Sequence, residues 1–543
     1  MMPHDGFAAT GRLVRLILRL DRIKLTLWLA GLVTLVAITP WSLRAVLDAE
    51  AQAEGKTIEA VLVEQATLLE TNGASIALQG PPDALDTFGG RYAFEIGAFS
   101  LAIIALMNIL LIGRHTRAEE ESGRAELVRA ASVGPWSSLA AVGVIAISVN
   151  LVLGVATSLV FIGDGREAGR SLLYGSSVAM CGLLFAAFAL VWVQVFEYGR
   201  GATGASLAGL AASFALRAVG DVRDDFLSWL SPLGWVQAVN AFGDPVWWPF
   251  AVSLATMIAS VAAAIALTVR RDVGAGLIGT RPGPDHASAT LGTPLGFAWR
   301  LQRTVLGWWT VGAAFLGAIY GSVISEIDEF VDENEAFRDM LEAMGMSGDA
   351  LRDGFITVIL SMIALIAMAG VVQSMLRPRG EEVSGRAEPV LAAALSRRAW
   401  LGTHAALTAL AAPVFMLVAG LTLSVADAAV VGRFIDVDDT LVASIARVPA
   451  LWAVGGIGLL LYGAARRWSL VIWVVFTVSA IVFLFGELLR LPDPLLNLSP
   501  IRHVTHLPGS GQGAIALIVL CAITAASSAV GLMLFERRDL ETA

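Results

Sequence analysis

The residues best suited to specific ionic contacts lie in two short charged stretches of the sequence. The first reads RAEEESGRAE at residues 117–126, and the second reads RGEEVSGRAE at residues 379–388. Eight of the ten positions are identical and the composition is not of low complexity, so we interpret the pair as a duplication. Carboxylates interleaved with guanidinium groups suit ion pairing with another protein.

Each stretch is predicted to form a short helix. Ser122 or Ser384 is expected to cap it, and Glu126 or Glu388 lies in its first turn, where the helix dipole favours an anion. Anchoring a loop requires only positive charge, so the matched acidic residues favour docking to a cytosolic partner. The alternative is a charged loop that only anchors the topology. The candidate contact residues are Arg117, Glu119, Glu120, Ser122, Arg124, Glu126, Arg129, Arg379, Glu381, Glu382, Ser384, Arg386 and Glu388.

The sequence offers no convincing catalytic, nucleotide or metal site. It has no GxxxxGK[ST] motif, and the isolated Gly55-Lys56-Thr57 has Glu50 where the upstream glycine of that motif would stand. His503 and His506 are three residues apart, but no third metal ligand lies near them. We therefore predict no catalytic residue, no cofactor and no metal in this chain.

Amide side chains are the most notable polar groups inside the long apolar runs, which nearly lack acidic residues. Glu95, Glu197 and Glu487 lie near the ends of runs, where interfacial positions are expected rather than a proton relay. The amides either bond neighbouring helices or line a substrate path. They are Asn108, Asn150, Gln194 and Gln373.

The composition identifies the fold class. Hydrophobic residues make up 56% of the chain, charged residues 15%, and the mean hydropathy is +0.72. That is more apolar surface than a soluble core of 543 residues can bury, so an all-α polytopic membrane protein is predicted. The net charge of −9 must be read loop by loop, and it gives no indication of nucleic-acid binding.

Twelve apolar runs are long enough, or nearly so, for the ~20 residues that cross a hydrocarbon layer. Residues 7–24 form a basic amphipathic pattern before the first run, predicted to lie flat on the membrane, and residues 299–303 echo it. Residues 221–245 are broken by Pro and Gly and predict a re-entrant or interfacial hairpin. The runs are 25–43, 96–112, 136–162, 172–196, 203–216, 247–269, 305–324, 355–376, 400–425, 448–465, 469–489 and 514–534.

The charges of the loops predict the orientation. Residues 44–95 carry nine acidic and three basic side chains, and residues 325–353 carry ten acidic and two basic ones. Because positive charge collects in cytoplasmic loops, these acidic segments are placed outside. Both termini and both charged stretches are then cytoplasmic, and the expected location is a bacterial plasma membrane.

Three landmarks recur in the same order at similar offsets. The charged stretch recurs after 262 residues, Ser-Pro at 231 and 499 after 268, and Arg-Arg-Asp at 270 and 537 after 267. The pattern predicts two six-helix halves, residues 1–272 and 296–543, joined by a cytoplasmic linker at 273–295. An even number of helices in each half makes the repeats parallel, related by an axis along the membrane normal.

The two loops, the basic N-terminal stretches and the broken external segments resemble the permease subunits of ABC-2 type exporters. More narrowly, they resemble the fused twelve-helix actinobacterial exporters of polyketide antibiotics and other drugs. The resemblance implies that two copies of a separate ATP-binding subunit, which bind ATP and Mg, dock on coupling helices at 114–135 and 377–398. It also implies export of hydrophobic or amphipathic small molecules along the pseudo-twofold axis. Pro389 departs from the first loop, where Leu127 stands, so the two docking sites are expected to be unequal.

Two other functions remain open from the residues alone. A proton-coupled secondary transporter would need a buried carboxylate that the sequence does not display. A membrane scaffold or sensor that does not transport would use the acidic external segments as binding surfaces. An uncoupler that abolishes export at constant ATP would indicate the first, and a deletion without effect on any substrate would indicate the second.

Overall fold

A computed structural model describes most of the chain. The predicted acidic segment at 325–353 lies almost wholly outside the described residues, as do His506, Glu487 and parts of the predicted linker. The described residues are 6–270, 274–279, 285–322, 324, 348–393, 395–432, 434, 437–485, 492–504 and 511–539.

The chain divides into two compact units, Met1–Gly283 and Pro284–Ala543. The first unit is helical in its described ranges, apart from turns and an isolated bridge between Phe196 and Ile278. Its helices are α1 (Thr10–Glu54), α2 (Ile58–Thr71), α3 (Gly73–Gln79), α4 (Phe88–His115), α5 (Arg117–Glu121), α6 (Arg124–Arg129), α7 (Ser137–Gly163), α8 (Ala168–Val195), α9 (Gly199–Arg223), α10 (Pro232–Gln237) and α11 (Trp248–Val269).

The second unit is also helical in its described ranges. Short 3-10 turns at Ala289–Gly292, Arg466–Leu470 and Arg502–Val504 supplement its α-helices. These are α12 (Pro294–Gly321), α13 (Gly348–Met375), α14 (Arg377–Val383), α15 (Ala387–Ala392), α16 (Arg397–Val431), α17 (Val437–Ala446), α18 (Val448–Ala464), α19 (Val471–Phe485), α20 (Asp493–Leu496) and α21 (Gly511–Arg537).

Twelve helical segments within the described ranges are long and apolar enough to cross a membrane. This confirms the prediction of an all-α polytopic membrane protein. In the first unit, 72% of the apolar window of both α4 and α8 is buried, against 11% for α11. In the second unit, 67% is buried for the segments of α13 and α18, against 17% for α21. Each unit therefore has two central helices, and its last long helix is exposed.

The basic N-terminal stretch is not a separate helix. It forms the first turns of α1, which continues for 45 residues into the first apolar run and contains Pro40. No glycine or proline lies at the junction of the basic part and the apolar run, so the backbone hydrogen bonds continue across it. The prediction of a distinct helix lying flat was wrong in the first unit. Residues 299–303 likewise lie inside α12.

The fifth helix is longer than its apolar run. α9 extends to Arg223, whereas the run predicted from hydropathy ends at residue 216. A 3-10 turn at Phe226–Leu230 then leads into α10, whose N-cap is Ser231 and whose first residue is Pro232. The Ser231 hydroxyl accepts a hydrogen bond from the Gly234 N–H at 3.1 Å. The broken segment therefore contains two short helical turns, and its re-entrant or interfacial position stays a prediction.

α7 and α8 approach closely at two glycines. A Cβ built on Gly154 would lie 2.6 Å from the Gly175 carbonyl oxygen, and one on Gly175 would lie 2.2 Å from the Gly154 oxygen. No other residue fits either position without moving the backbone. Small residues at such crossings let membrane helices pack backbone to backbone, since apolar burial drives little association within lipid.

Candidate coupling site

The two duplicated stretches each fold into a pair of short helices. In the first unit, α5 and α6 follow α4 and are separated at Gly123, which has a φ of 72°. In the second unit, α14 and α15 follow α13, and Gly385 lies between them with a φ of 69°. The left-handed backbone that glycine adopts readily ends the first short helix of each pair.

The predicted role of the two serines was wrong. Ser122 is the C-cap residue of α5 and Ser384 that of α14, and their hydroxyls donate to backbone oxygens of the preceding turn, including Glu119 O at 3.1 Å and Gly380 O at 2.8 Å. The following glycine breaks the helix, so each serine closes one helix instead of opening the next. Glu126 and Glu388 do lie in the first turn of α6 and α15, as predicted.

One ion pair recurs at corresponding positions of the two loops. Glu119 Oε2 lies 3.5 Å from Arg124 Nε, and Glu381 Oε2 lies 2.9 Å from Arg386 Nε. Each pair joins the first short helix to the residues beyond the Ser-Gly turn. The acid and base that the two sequences share therefore bridge the Ser-Gly turn in both loops.

Arg117 attaches the first loop to the helical bundle. Its side chain is buried, and its guanidinium donates to Val193 O at 2.7 Å, to Ala275 O at 2.7 Å and to Glu120 Oε2 at 2.8 Å. Three directed bonds match the fork geometry of arginine, which lysine does not reproduce. Val193 lies in α8, so α5 is held directly against the end of a central helix of its unit.

Glu382 occupies the corresponding anchoring role in the second loop with different partners. It accepts hydrogen bonds from the Tyr462 hydroxyl and from Arg538 Nη2, both at 2.7 Å. Tyr462 lies in the central helix α18, and Arg538 directly follows α21. Glu382 and Tyr462 are buried, so the carboxylate is stabilised by a paired charge and a hydroxyl donor. Both loops are attached to a central helix, but through different side chains.

The candidate contact residues therefore fall into two groups. Arg117, Glu381 and Glu382 are buried, while Glu119, Glu120 and Arg379 are partly buried, so they first serve the packing of their own loops. The side chain of Arg129 lies outside the described part of the chain. The exposed candidates are Ser122, Arg124, Glu126, Ser384, Arg386 and Glu388.

A buried contact behind the first loop involves a residue that sequence reasoning missed. Asp21 of α1 is buried and binds His115 Nε2 at 2.6 Å and Arg114 Nη2 at 2.8 Å, both at the end of α4. The corresponding residue of the second unit is Gln302, within Arg300-Leu-Gln302-Arg303 as against Arg19-Leu-Asp21-Arg22. The signal available in the sequence was a lone acid within a strongly basic amphipathic stretch.

Gln302 makes a neutral version of this contact. Its Nε2 lies 2.9 Å from His404 Nδ1, and its Oε1 accepts from the Ser374 hydroxyl at 2.5 Å. Both Gln302 and His404 are buried. Asp21 thus binds the end of α4 through charged groups. Gln302 instead forms a neutral network with Ser374 of α13, before the loop, and His404 of α16, after it.

The four predicted amides have distinct surroundings. Asn108 of α4 and Asn150 of α7 are fully buried and exchange two hydrogen bonds, at 3.0 and 2.7 Å. Gln373 accepts a bond from Trp309 Nε1 at 2.7 Å, and Gln194 is buried at the end of α8. The asparagine pair forms the interhelical bond that one of the two interpretations predicted, and a substrate path along any of these amides stays a prediction.

Two comparisons with known proteins match this chain, one over its second half and one over nearly its whole length. Residues 291–536 match a family model described as the multidrug efflux system permease Rv1217c, C-terminal domain. The chain is 35% identical over 541 residues to the multidrug efflux system permease protein Rv1217c of Mycobacterium tuberculosis (strain ATCC 25618 / H37Rv), with 99% of this chain and 97% of that relative covered. The protein therefore belongs to the multidrug efflux permease family that Rv1217c represents, in agreement with its predicted resemblance to ABC-2 type permeases.

Proposed function

We propose that this chain is the membrane subunit of an ATP-driven exporter of hydrophobic or amphipathic small molecules. Two copies of a cytosolic ATP-binding subunit would dock on the loops at α5–α6 and α14–α15. ATP and Mg would be bound by that partner, and this chain would contribute the gated passage. The printed description of its relative as a multidrug efflux system permease supports the transported class.

The observation that carries this proposal is the construction of the duplicated loops. Each has a recurring acid-base pair, exposed charges, and a buried anchor that binds a central helix of its own unit, Arg117 to α8 and Glu382 to α18. A loop that only anchored topology would need no such attachment. A displacement of either loop would therefore move the spanning helix to which it is attached, α8 or α18.

The mechanism follows from these attachments. Nucleotide-driven movement of the partner would displace the short helices, whose Ser-Gly turns are bridged by the Glu119–Arg124 and Glu381–Arg386 pairs. The anchors then shift α8 and α18, and the substrate path alternates between its two openings. The chain itself needs no proton relay for this cycle.

The distribution of charged residues supports a topology in which both coupling loops are cytoplasmic. The N-terminal part of α1 is rich in arginine, and Arg537 and Arg538 lie at the end of α21, which is typical of the cytoplasmic side. We therefore place both termini and both coupling loops in the cytoplasm of a bacterium, with the protein in its plasma membrane. Acidic α2 and its neighbours would then lie outside.

The test is a docking experiment with charge reversal at exposed positions. A tagged chain is coexpressed with its candidate ATP-binding subunit, and copurification and drug-stimulated ATP hydrolysis are measured. The variant carries Glu126→Arg and Glu388→Arg, both on the exposed face of the loops. The control carries Glu59→Arg and Asp439→Arg, which are exposed acids in α2 and α17.

We expect the loop variant to lose most of the bound ATPase, by about tenfold or more, because rim charges steer docking and like charges repel. The control should copurify as the unaltered chain does. Equal copurification and equal drug stimulation for the loop variant and its control would overturn the assignment of the loops.

A further inference from the structure

An open groove of about 560 Å³ lies at the start of the first long helix of the second unit. One wall is the N-terminal part of α12 and the other is the segment from Ser288 to Thr293, with Leu407 of α16 also in the lining. The volume falls in the ~300–1,000 Å³ range of small-molecule sites. We call this feature the α12 groove.

The segment that forms the second wall is fixed against the helix. Thr293 caps α12, since its hydroxyl oxygen accepts a hydrogen bond from the Gly296 N–H at 3.1 Å, and the same hydroxyl donates to Thr290 O at 2.8 Å. A Cβ built on Gly296 would lie 2.0 Å from Thr290 O, so the 3-10 turn at Ala289–Gly292 packs directly on the helix backbone. The groove is therefore formed by defined local structure.

Two arginines give the groove a positive charge. Arg300 and Arg303 both line it, and their spacing of three residues places them on one side of α12. Both side chains are exposed, and neither has an ion-pair partner among the described residues. None of the described residues that line the groove is acidic. The positive end of the α12 dipole lies on the same side, so the groove is complementary to an anion.

Hydroxyl groups on the facing wall add hydrogen-bond donors. Ser288 Oγ and Thr290 Oγ1 lie 2.9 Å apart and share one hydrogen bond. Each hydroxyl carries one proton, so whichever of the two donates, the other keeps its proton for a further acceptor. Guanidinium groups bind phosphate oxygens through two parallel hydrogen bonds. A phosphate ester therefore matches the polar side of the groove.

The remaining lining is apolar and unusually open. Trp299 is 50% exposed and Leu295 is 47% exposed, and both line the groove beside the buried Leu407. Tryptophan beside basic residues is typical of the boundary between a membrane and water. The apolar side of the groove is therefore suited to the glycerol backbone and acyl chain of a lipid.

The position of the arginines along α12 places them at the membrane surface. Arg303 and Arg300 precede the apolar run that begins at Val305 by two and five residues. At the helical rise of ~1.5 Å per residue, these distances are about 3 and 7.5 Å. The headgroup layer on each side of the hydrocarbon core is about 5–8 Å deep. Both arginines therefore lie at the depth of the lipid phosphates, whichever side of the membrane this end of α12 faces.

We propose that the α12 groove binds the headgroup of an anionic glycerophospholipid such as phosphatidylglycerol. The phosphate would accept hydrogen bonds from Arg300 and Arg303, the headgroup hydroxyls would bond Ser288 and Thr290, and an acyl chain would pack on Trp299. The ammonium of phosphatidylethanolamine would find no carboxylate in the lining and two positive charges beside it. The site lies wholly within the second unit, and lipid binding there does not depend on the ATPase partner or on transport.

The experiment is a lipid titration of the purified full chain followed by native mass spectrometry. Dioleoyl-phosphatidylglycerol and dioleoyl-phosphatidylethanolamine are added separately, and the apparent Kd of the first bound lipid is measured. We expect phosphatidylglycerol to bind at least fivefold more tightly. Soluble glycerol phosphate, added in large excess, should not displace it, because the acyl chain contributes to binding. Equal affinity for the two lipids would overturn the proposal, as would displacement by glycerol phosphate.

The first unit supplies a matched control. Arg19 and Arg22 correspond to the two arginines of the groove and are also exposed. The segment before α1 is bonded elsewhere, since the Gly134 N–H donates to Ala8 O at 3.1 Å. Replacing Arg19 and Arg22 removes the same charge at a corresponding position of its helix and leaves the α12 groove intact.

The groove variant is Arg300→Gln with Arg303→Gln, and the control is Arg19→Gln with Arg22→Gln. We expect the affinity for phosphatidylglycerol to fall at least fivefold in the groove variant and less than twofold in the control, with equal melting temperatures because all four side chains are exposed. Ser288→Glu keeps both groove arginines but places a carboxylate opposite them, and it should lower the affinity to a similar extent. Equal losses in the two double variants, or unchanged affinity in Ser288→Glu, would overturn the site.

Discussion

Asp21 of α1 and His115 of α4 form a buried contact in which Asp21 Oδ2 lies 2.6 Å from His115 Nε2. Arg114 binds the other carboxylate oxygen at 2.8 Å. The same position of the second unit holds Gln302, bonded to His404 and Ser374. The basic stretch is attached to its unit in both cases, but only the first attachment includes an acid.

Replacing this acid should destabilise the first unit. Asp21→Asn keeps the shape but removes the charge that pairs with Arg114, and we expect a cost of about 1–3 kcal/mol. The partly exposed Arg114 can turn to water, which limits the loss. The measurement is the melting temperature of the detergent-purified chain. Asp48→Asn, the same change at an exposed position of α1, should melt like the unaltered chain, and equal melting of both variants would contradict the structural role of Asp21.

The anchor of the first loop should be specific to arginine. Arg117→Lys keeps the charge but cannot donate to Val193, Ala275 and Glu120 together, so we expect drug-stimulated ATP hydrolysis by the complex to fall severalfold. Copurification of the ATPase should change little, because the exposed charges remain. The control is Arg15→Lys, an exposed arginine of α1 outside the loop. A loss of docking that matches the loss of stimulation would argue against a transmitting anchor.

The asparagine pair between α4 and α7 should show energetic coupling. A double-mutant cycle of Asn108→Ala and Asn150→Ala is expected to give an interaction of about 1 kcal/mol, typical of hydrogen bonds between membrane helices. Unfolding is followed in mixed micelles of increasing denaturing detergent. A second cycle of Asn108→Ala with Ser148→Ala, an exposed residue of α7, should be additive. Additivity in both cycles would show that the observed bonds contribute no net stability.

The sequence predicted the features that depend on composition and period. The number of spanning helices follows from long apolar runs, and the break after α9 follows from Pro232 and its neighbouring glycine. The continuity of α1 was missed because the amphipathic pattern of residues 7–24 and the apolar run 25–43 suggest two separate helices. The backbone hydrogen bonds of α1 continue through both. Local periodicity cannot tell whether a helix bends away between them.

The site was predicted less completely than the fold. The duplication located both loops, but it could not show that Glu382 is buried against Tyr462 while the equivalent Glu120 pairs with Arg117. Those partners come from residues about 80 and 3 positions away, so they depend on tertiary packing. Glu381 and Glu382 are identical to their counterparts in the first loop, yet both are buried. Identity between the repeats therefore did not distinguish docking residues from anchoring residues.

The central claim is that the energy for transport comes from a separate ATPase. The most direct measurement is uptake of a fluorescent amphipathic drug into inside-out proteoliposomes that contain the chain, with and without the copurified ATPase. We predict uptake only when both the ATPase and hydrolysable ATP are present, with no change when an uncoupler is added. Drug uptake by the chain alone, driven by a proton gradient in the absence of ATP, would contradict the account.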